Sequence, residues 1–255
     1  MKKIISIAVL AGLLSTPVAQ ATDTVDIVIA TQLLSKYVGN AGAVFHAGAV
    51  QQTEITATLK SGIYFDIWHS MAWRDHSSQN EDGEETMDYG NEIDWTIGWS
   101  GDLGESGFTI DAGVSYFDCA NLWQTEFDTI NPYVTIGYST ELTAEQKLST
   151  SVKVELPVVV GENFAGNHGT YITAGVEHTW QASEKLSLSH GPSLIIDDNP
   201  YEMDKGLIGR YQVSADYALT EKVSLNATVS ASSPLTSMSD RETEIVSGVG
   251  LKISF

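Results

Sequence analysis

The chain has 255 residues and a formal charge of −20 at pH 7, from 13 basic and 33 acidic side chains. A field of that sign repels nucleic acid and disfavours anionic partners, so no nucleic-acid-binding role is expected. The single cysteine, Cys119, excludes an internal disulfide.

The first segment in chain order is basic, then apolar. Lys2 and Lys3 precede an apolar run from Ile4 to Leu14 and the sequence Ala19-Gln20-Ala21. That is the n-region, h-region and A-x-A pattern of a secretory signal peptide, and the run is short of the roughly 20 residues of a spanning helix. Cleavage is expected after Ala21, so residues 1–21 leave and residues 22–255 form the folded domain. Two lysines and no acid go with the leader; eleven bases then face 33 acids, a formal charge of −22. No later run is long and apolar enough for a helical span, so an exported chain of this kind is either soluble or a membrane β-barrel.

From Val50 onward apolar and polar residues alternate with period two, the mark of half-buried strands. Glu92 to Trp99 alternates without a fault, and Phe108 to Phe117 and Val223 to Ala231 set one apolar parity against another of mostly small or polar residues. Twelve strands are predicted, near 26–38, 50–60, 62–73, 92–101, 107–118, 128–141, 146–159, 169–181, 185–197, 206–219, 222–233 and 243–255. The five short connections are 60–62, 102–106, 143–145, 182–184 and 220–222. The six long, polar ones are 39–49, 74–91, 119–127, 160–168, 198–205 and 234–242, and the two kinds alternate strictly. A soluble sandwich has no need of that alternation; an outer-membrane barrel does, with short periplasmic turns and longer extracellular loops. The predicted fold is therefore all-β, a single antiparallel transmembrane β-barrel of about 12 strands with both termini periplasmic.

Strand direction follows from the loops, and it sorts the aromatics. Trp99, Tyr138, Trp180, Tyr217 and Phe255 fall at the periplasmic ends of descending strands, and Phe108 starts an ascending strand at that level. Trp73 and Tyr116 fall at the outer ends. These eight make two membrane-interface belts, where amphipathic rings are stable. The opposite parity faces the lumen and carries Glu54, Asp66, Glu92, Asp94, Asp111, Lys153, Glu155, Glu177, Arg210, Asp216, Glu244 and Lys252. Acids outnumber bases there by nine to three, which favours cations if the lumen conducts. Twelve strands lie between the filled eight-stranded barrel and the open channel of sixteen, so both a narrow pore and a plugged core are consistent with the count.

No catalytic, cofactor or metal-binding set is expected. The sequence has no Walker loop, no H-E-x-x-H and no Cys/His cluster. Ser70 and His69 are adjacent on a strand and so point to opposite faces, against a lipid-modifying hydrolase. The acidic loop 74–91 fails the calcium-loop pattern, because aligning Gly83 to its glycine puts Ser78 and Tyr89 at the first and last ligand positions. It reads as a solvated surface loop. His69, His178 and His190 stand on the apolar parity, which period alone does not explain.

The stretch SKYVGNAGAVFHAGAVQQTEITATLKSGIYFDIWHS (35–70) resembles the N-terminal part of the TorF-type porins, the Gcw_chp family. The match rests on Ser35-Lys36-Tyr37, Gln51-Gln52 and Gly62 to Trp68, with Glu92-Ile93-Asp94 and Gly98-Trp99 on the next strand. Where that family has Arg-Gly after the tyrosine, this chain has Val38-Gly39. The resemblance implies an outer-membrane barrel of porin type and names no solute. The closing stretch GLKISF, with Leu251, Ile253 and Phe255 alternating, resembles the terminal signal read by barrel-assembly machinery. The expected function is a passive channel for small hydrophilic solutes in the outer membrane, set among outer-membrane lipids, with cations preferred. The alternatives are a closed structural or loop-mediated interaction barrel and, third, a lipid-modifying enzyme.

Overall fold

The computed structural model describes residues 25–39, 41–73, 90–119, 128–159, 169–199, 204–239 and 241–255. The expected leader and all but the last two residues of the acidic loop lie outside the described residues. Alternation becomes strand wherever it was read. The described residues form β1 (Val25–Leu34), β2 (Tyr37–Val38), β3 (Val44–His46), β4 (Val50–Leu59), β5 (Ile63–Ala72), β6 (Glu92–Asp102), β7 (Phe108–Cys119), β8 (Thr129–Glu141), β9 (Gln146–Glu155), β10 (Val158–Val159), β11 (Tyr171–Gln181), β12 (Leu186–Asp197), β13 (Gly206–Ala218), β14 (Val223–Pro234) and β15 (Glu244–Ser254), with no helix among them.

Twelve of these strands close a ring. Its order is β1, β4, β5, β6, β7, β8, β9, β11, β12, β13, β14, β15 and back to β1, with every neighbour antiparallel. The seam pairs Ile29 with Ile253, and the Phe255 amide donates to the Ile27 carbonyl at 2.9 Å. Closure leaves no unpaired edge, which is what a strand fold needs in hydrocarbon. The fold is also inside out. Among the described residues eight apolar side chains are buried, whereas thirty-one large ones are exposed, Ile97, Val249 and Ile245 each by 60% or more. A water-soluble monomer does not carry an apolar surface of that extent; the outer wall is built for lipid.

The short turns gather at one end. They close by backbone bonds such as Leu103 N to Phe108 O and Leu142 N to Gln146 O, each 2.8 Å. Gly62 turns the β4–β5 connection at φ 86°, and a Cβ there would lie 2.1 Å from the Ser100 carbonyl oxygen. Gly62→Ala is therefore expected to destabilise the barrel by about 1–3 kcal/mol, through left-handed strain and the clash with β6. Urea unfolding followed by electrophoretic mobility checks this; unchanged stability would contradict it.

Two predicted spans are shortened by the fold. The strand expected over 26–38 ends at Leu34, and Tyr37–Val38 belongs to a small hairpin with Val44–His46. The strand expected over 146–159 ends at Glu155, where the Leu156 amide donates to the Pro132 carbonyl and Pro157 is buried before β10 joins β8. Proline cannot donate to a ladder, so the strand stops there. The connection 39–49 is not the polar loop expected. It carries buried Ala41 and Ala43 and packs among the ends of the strands.

Candidate functional site

The pleat sends alternate side chains inward, and register then lines them up across strands. One inner row runs Glu54 on β4, Trp68 on β5, Asp94 on β6 and Phe117 on β7, each the direct partner of the next. The next row toward the loop end holds Gln52, Ser70 and Glu92. Carboxylate thus alternates with aromatic ring over four adjacent strands. The wall across the ring is different. There β13 pairs with β14 as Arg210 with Ser232, Gln212 with Ser230, Ser214 with Thr228 and Asp216 with Asn226.

The hairpin of β2 and β3 crosses between these walls. The Tyr37 hydroxyl donates to Glu92 Oε2 at 2.7 Å, and its ring contacts Trp68 at 5.7 Å and Phe45 at 5.1 Å. Two residues on, the Gly39 carbonyl accepts from Arg210 Nη2 at 2.9 Å. β6 and β13 are six steps apart either way round the twelve-stranded ring, so the hairpin spans a diameter. Arg241, from the β14–β15 connection, adds a second clamp: its Nε donates to the Ala41 carbonyl at 2.9 Å while Nη2 pairs with Asp197 at 3.3 Å. Arg241 and Asp197 are both buried. Ala41 then packs with Tyr171, Ile195, Ile208 and Met238, the apolar core of the loop end. Small residues fit this crossing: a Cβ on Gly39 would stand 2.7 Å from the Phe45 ring.

A cavity of about 740 Å³ lies against the hairpin, bounded by both walls. Glu54, Glu92, Asp94, Lys153, Glu155, Arg210, Asp216 and Lys252 border it. Asp66, Asp111, Glu177 and Glu244 share the inner parity but lie off the cavity wall. Asp66 accepts from Thr56 Oγ1 at 2.8 Å, Asp111 from the Tyr64 hydroxyl at 2.9 Å, and Glu244 pairs with Lys36 at 2.6 Å. Lys153 pairs with Glu155 at 2.5 Å, and Asp216 accepts a hydrogen bond from Asn226 Nδ2 at 3.0 Å. Lys252 has no carboxylate within ion-pair distance among the described residues. Asp94 Oδ1 has no basic partner among them either, and the Asp94 carboxyl lies beside that of Glu92. No group of three or more His, Cys, Asp or Glu among the described residues is arranged to hold a metal ion.

Nearer the turns, Tyr64 and Tyr133 meet hydroxyl to hydroxyl across the inner face of β6 and β7. Gly98 and Gly113 lie beneath them in register; a Cβ on Gly98 would come 2.5 Å from the Tyr64 ring. Lys153 Nζ sits 4.7 Å from the centre of the Tyr133 ring. The barrel interior thus already holds a cation against an aromatic face.

On the outer wall Trp73, Trp99, Phe108, Tyr138, Trp180 and Tyr217 are exposed, while Tyr116 and Phe255 are half-buried. Trp99 Nε1 donates to the Ser61 carbonyl at 2.8 Å, and Phe108 contacts Tyr138 at 4.9 Å, both beside the turns. Two of the three outward histidines, His178 and His190, gain an explanation. His178 Nδ1 lies 3.3 Å from His190 Nε2, His178 Nε2 is 3.2 Å from Gln146, and His190 Nδ1 is 2.7 Å from the Tyr211 hydroxyl. Each ring satisfies its polar atoms on its neighbours, as a lipid-facing polar group must.

Sequence reasoning did not single out Tyr37, Trp68, Phe117, Arg241 or Asp197 as site residues. Trp68 and Phe117 were visible as aromatics on the inner parity, a signal that single-strand reading passes over. The role of Arg241 had no local signal, since its partners Ala41 and Asp197 lie 200 and 44 residues away.

No protein-family model and no curated protein matches the chain. Solved structures do match it in fold. The NanC porin superposes with a TM-score of 0.56 at 10% identity, covering 90% of this chain and 98% of that one. The KdgM porin, solved in complex with disordered oligogalacturonate, gives 0.54 at 10% identity over 90% and 99%. An outer membrane channel from Pseudomonas putida F1 gives 0.57 at 12% identity over 93% and 97%. At these identities the likeness is one of fold: this chain has the closed antiparallel β-barrel architecture of outer-membrane porins and channels.

Proposed function

We propose that the protein is an outer-membrane porin, a passive channel for small hydrophilic solutes that prefers cations. The observation that carries this reading is a closed barrel, apolar outside, whose interior holds a charged cavity of about 740 Å³. The stretch 35–70, read as resembling TorF-type porins, supplies Tyr37 and Trp68 to the cavity wall, while no family model supports that family assignment. Residues 1–21 serve as the export leader, the barrel-assembly machinery inserts the chain, and outer-membrane lipids surround it. The pore-lining role is assigned to Glu54, Glu92, Asp94, Lys153, Glu155, Arg210, Asp216 and Lys252, which border the cavity together with Lys36. An enzymatic reading loses support from geometry: Ser70 is fully buried on the inner parity and His69 stands on the outer one. Planar-bilayer recording of the purified barrel tests the proposal. Stepwise conductance is expected, and its absence in every salt would sink the channel reading.

One observation favours a second reading, a closed structural or interaction barrel: the hairpin bridges the lumen and two arginines clamp it. A closed barrel also needs its buried charges paired. Asp94 Oδ1 does not meet that requirement within the described residues, and Lys252 is exposed rather than buried in an ion pair, which supports the hydrated, conducting interior.

A further inference from the structure

The inner row Glu54, Trp68, Asp94, Phe117 is not what a channel for simple ions requires. A hydrated inorganic cation is served by carboxylates and carbonyls, and has no use for indole and phenyl faces. Rings and carboxylates in alternation suit a cation that carries its charge on an organic frame. Its positive end lies over the electron-rich face of an aromatic ring and donates to the neighbouring carboxylate. Neighbouring strands are about 4.8 Å apart, so a ring and the carboxylate beside it lie within reach of one ammonium or guanidinium group.

We infer that this row is a recognition site for small organic cations bearing an amine or guanidinium group. The inference deepens the channel reading by naming the class of solute. Three observations carry it. Trp68, Asp94 and Phe117 are direct register partners and all border the cavity. Asp94 Oδ1 is out of bulk solvent beside the Glu92 carboxyl with no basic group on it among the described residues, and an organic ammonium supplies both a hydrogen and the opposing charge that the carboxyl pair lacks. Tyr37 adds a third aromatic ring over Trp68 at 5.7 Å, so the hairpin roofs the row. The repulsion among Glu54, Glu92 and Asp94 falls when a cation occupies the site. Lys252, two strands from Glu54 with only Ala30 between them in that row, marks where the acidic wall ends.

The test is equilibrium binding to the intact, detergent-folded barrel by isothermal titration calorimetry, with agmatine as probe and glucose as the neutral control. Agmatine is expected to bind and glucose not to. Asp94→Asn and Trp68→Leu should each weaken agmatine binding by about ten-fold, and Trp68→Phe should restore most of the loss, because stacked, desolvated cation–π pairs and charged hydrogen bonds each reach that size. Circular dichroism confirms that each variant is folded. No agmatine binding to a barrel that conducts would overturn this inference and leave the porin reading standing. Agmatine binding to a barrel that never conducts would sustain the site and overturn the channel. Equal binding of glucose and agmatine, or unchanged affinity in Asp94→Asn, would assign the row to neutral solutes and reject the cation site.

Discussion

Replacing Arg241 by alanine is expected to unseat the crossing hairpin and raise single-channel conductance severalfold. The guanidinium is buried and joins two parts of the fold, the Ala41 carbonyl of the hairpin and Asp197 at the end of β12. Removing one partner of a buried ion pair leaves the other charge unmatched and costs about 3–5 kcal/mol. The ion-pair loss falls on the loop end of β12, the loss of the Ala41 bond falls on the hairpin, and the twelve strands remain paired in every ladder. Arg210 still holds Gly39 from β13 and Tyr37 still reaches Glu92 on β6, so the hairpin stays tethered at Tyr37 and Gly39 and is released at Ala41. A hairpin released at Ala41 samples positions away from the diameter, and the open fraction rises. Planar-bilayer recording measures the conductance, and thermal unfolding measures the ring. Arg241→Lys keeps the charge without the planar fork and should fall between the two. A folded Arg241→Ala barrel with unchanged conductance would show that the hairpin does not limit flow.

The ring was legible in the sequence because its rules are local. Glu92 to Trp99 alternates without a fault, and β6 forms over those residues. Long and short connections alternate, and the ring closes with the short turns at one end. Inner and outer parity followed from the same period, so charged residues named on each strand were placed on one face. What stayed hidden depends on pairing. Trp68 and Asp94 belong to different strands, and their adjacency appears only when β5 and β6 come into register. The hairpin is the larger case. Its residues 39–49 are rich in glycine and alanine, which is poor material for a solvated loop and good material for close packing. Alanine and glycine carry no address, however; the partners Arg210 and Arg241 lie 171 and 200 residues away. Pro157 is the opposite case, a local signal for the end of β9 that alternation overruled.

Charge on the β4–β7 wall should set which ions pass. Glu54, Glu92 and Asp94 border the cavity from this side, and Lys252 faces it without an ion-pair partner among the described residues. The Glu54→Lys, Asp94→Lys double variant changes the wall by four charges and is expected to turn a cation-preferring channel into an anion-preferring one. Reversal potentials in a potassium chloride gradient measure this. Glu54→Gln with Asp94→Asn, which preserves side-chain shape, should move the potential the same way by about half. Lys252→Glu should move it in the opposite direction. Salt separates a field effect from a change of pore shape. The Debye length is about 10 Å at 0.1 M and about 3 Å at 1 M. A selectivity set by wall charge therefore shrinks as salt rises, whereas one set by pore width does not. Should the double variant keep the wild-type potential at low salt, the ions do not pass along this wall, and their path has to be sought beside the Gln212, Ser214 and Thr228 face of β13 and β14.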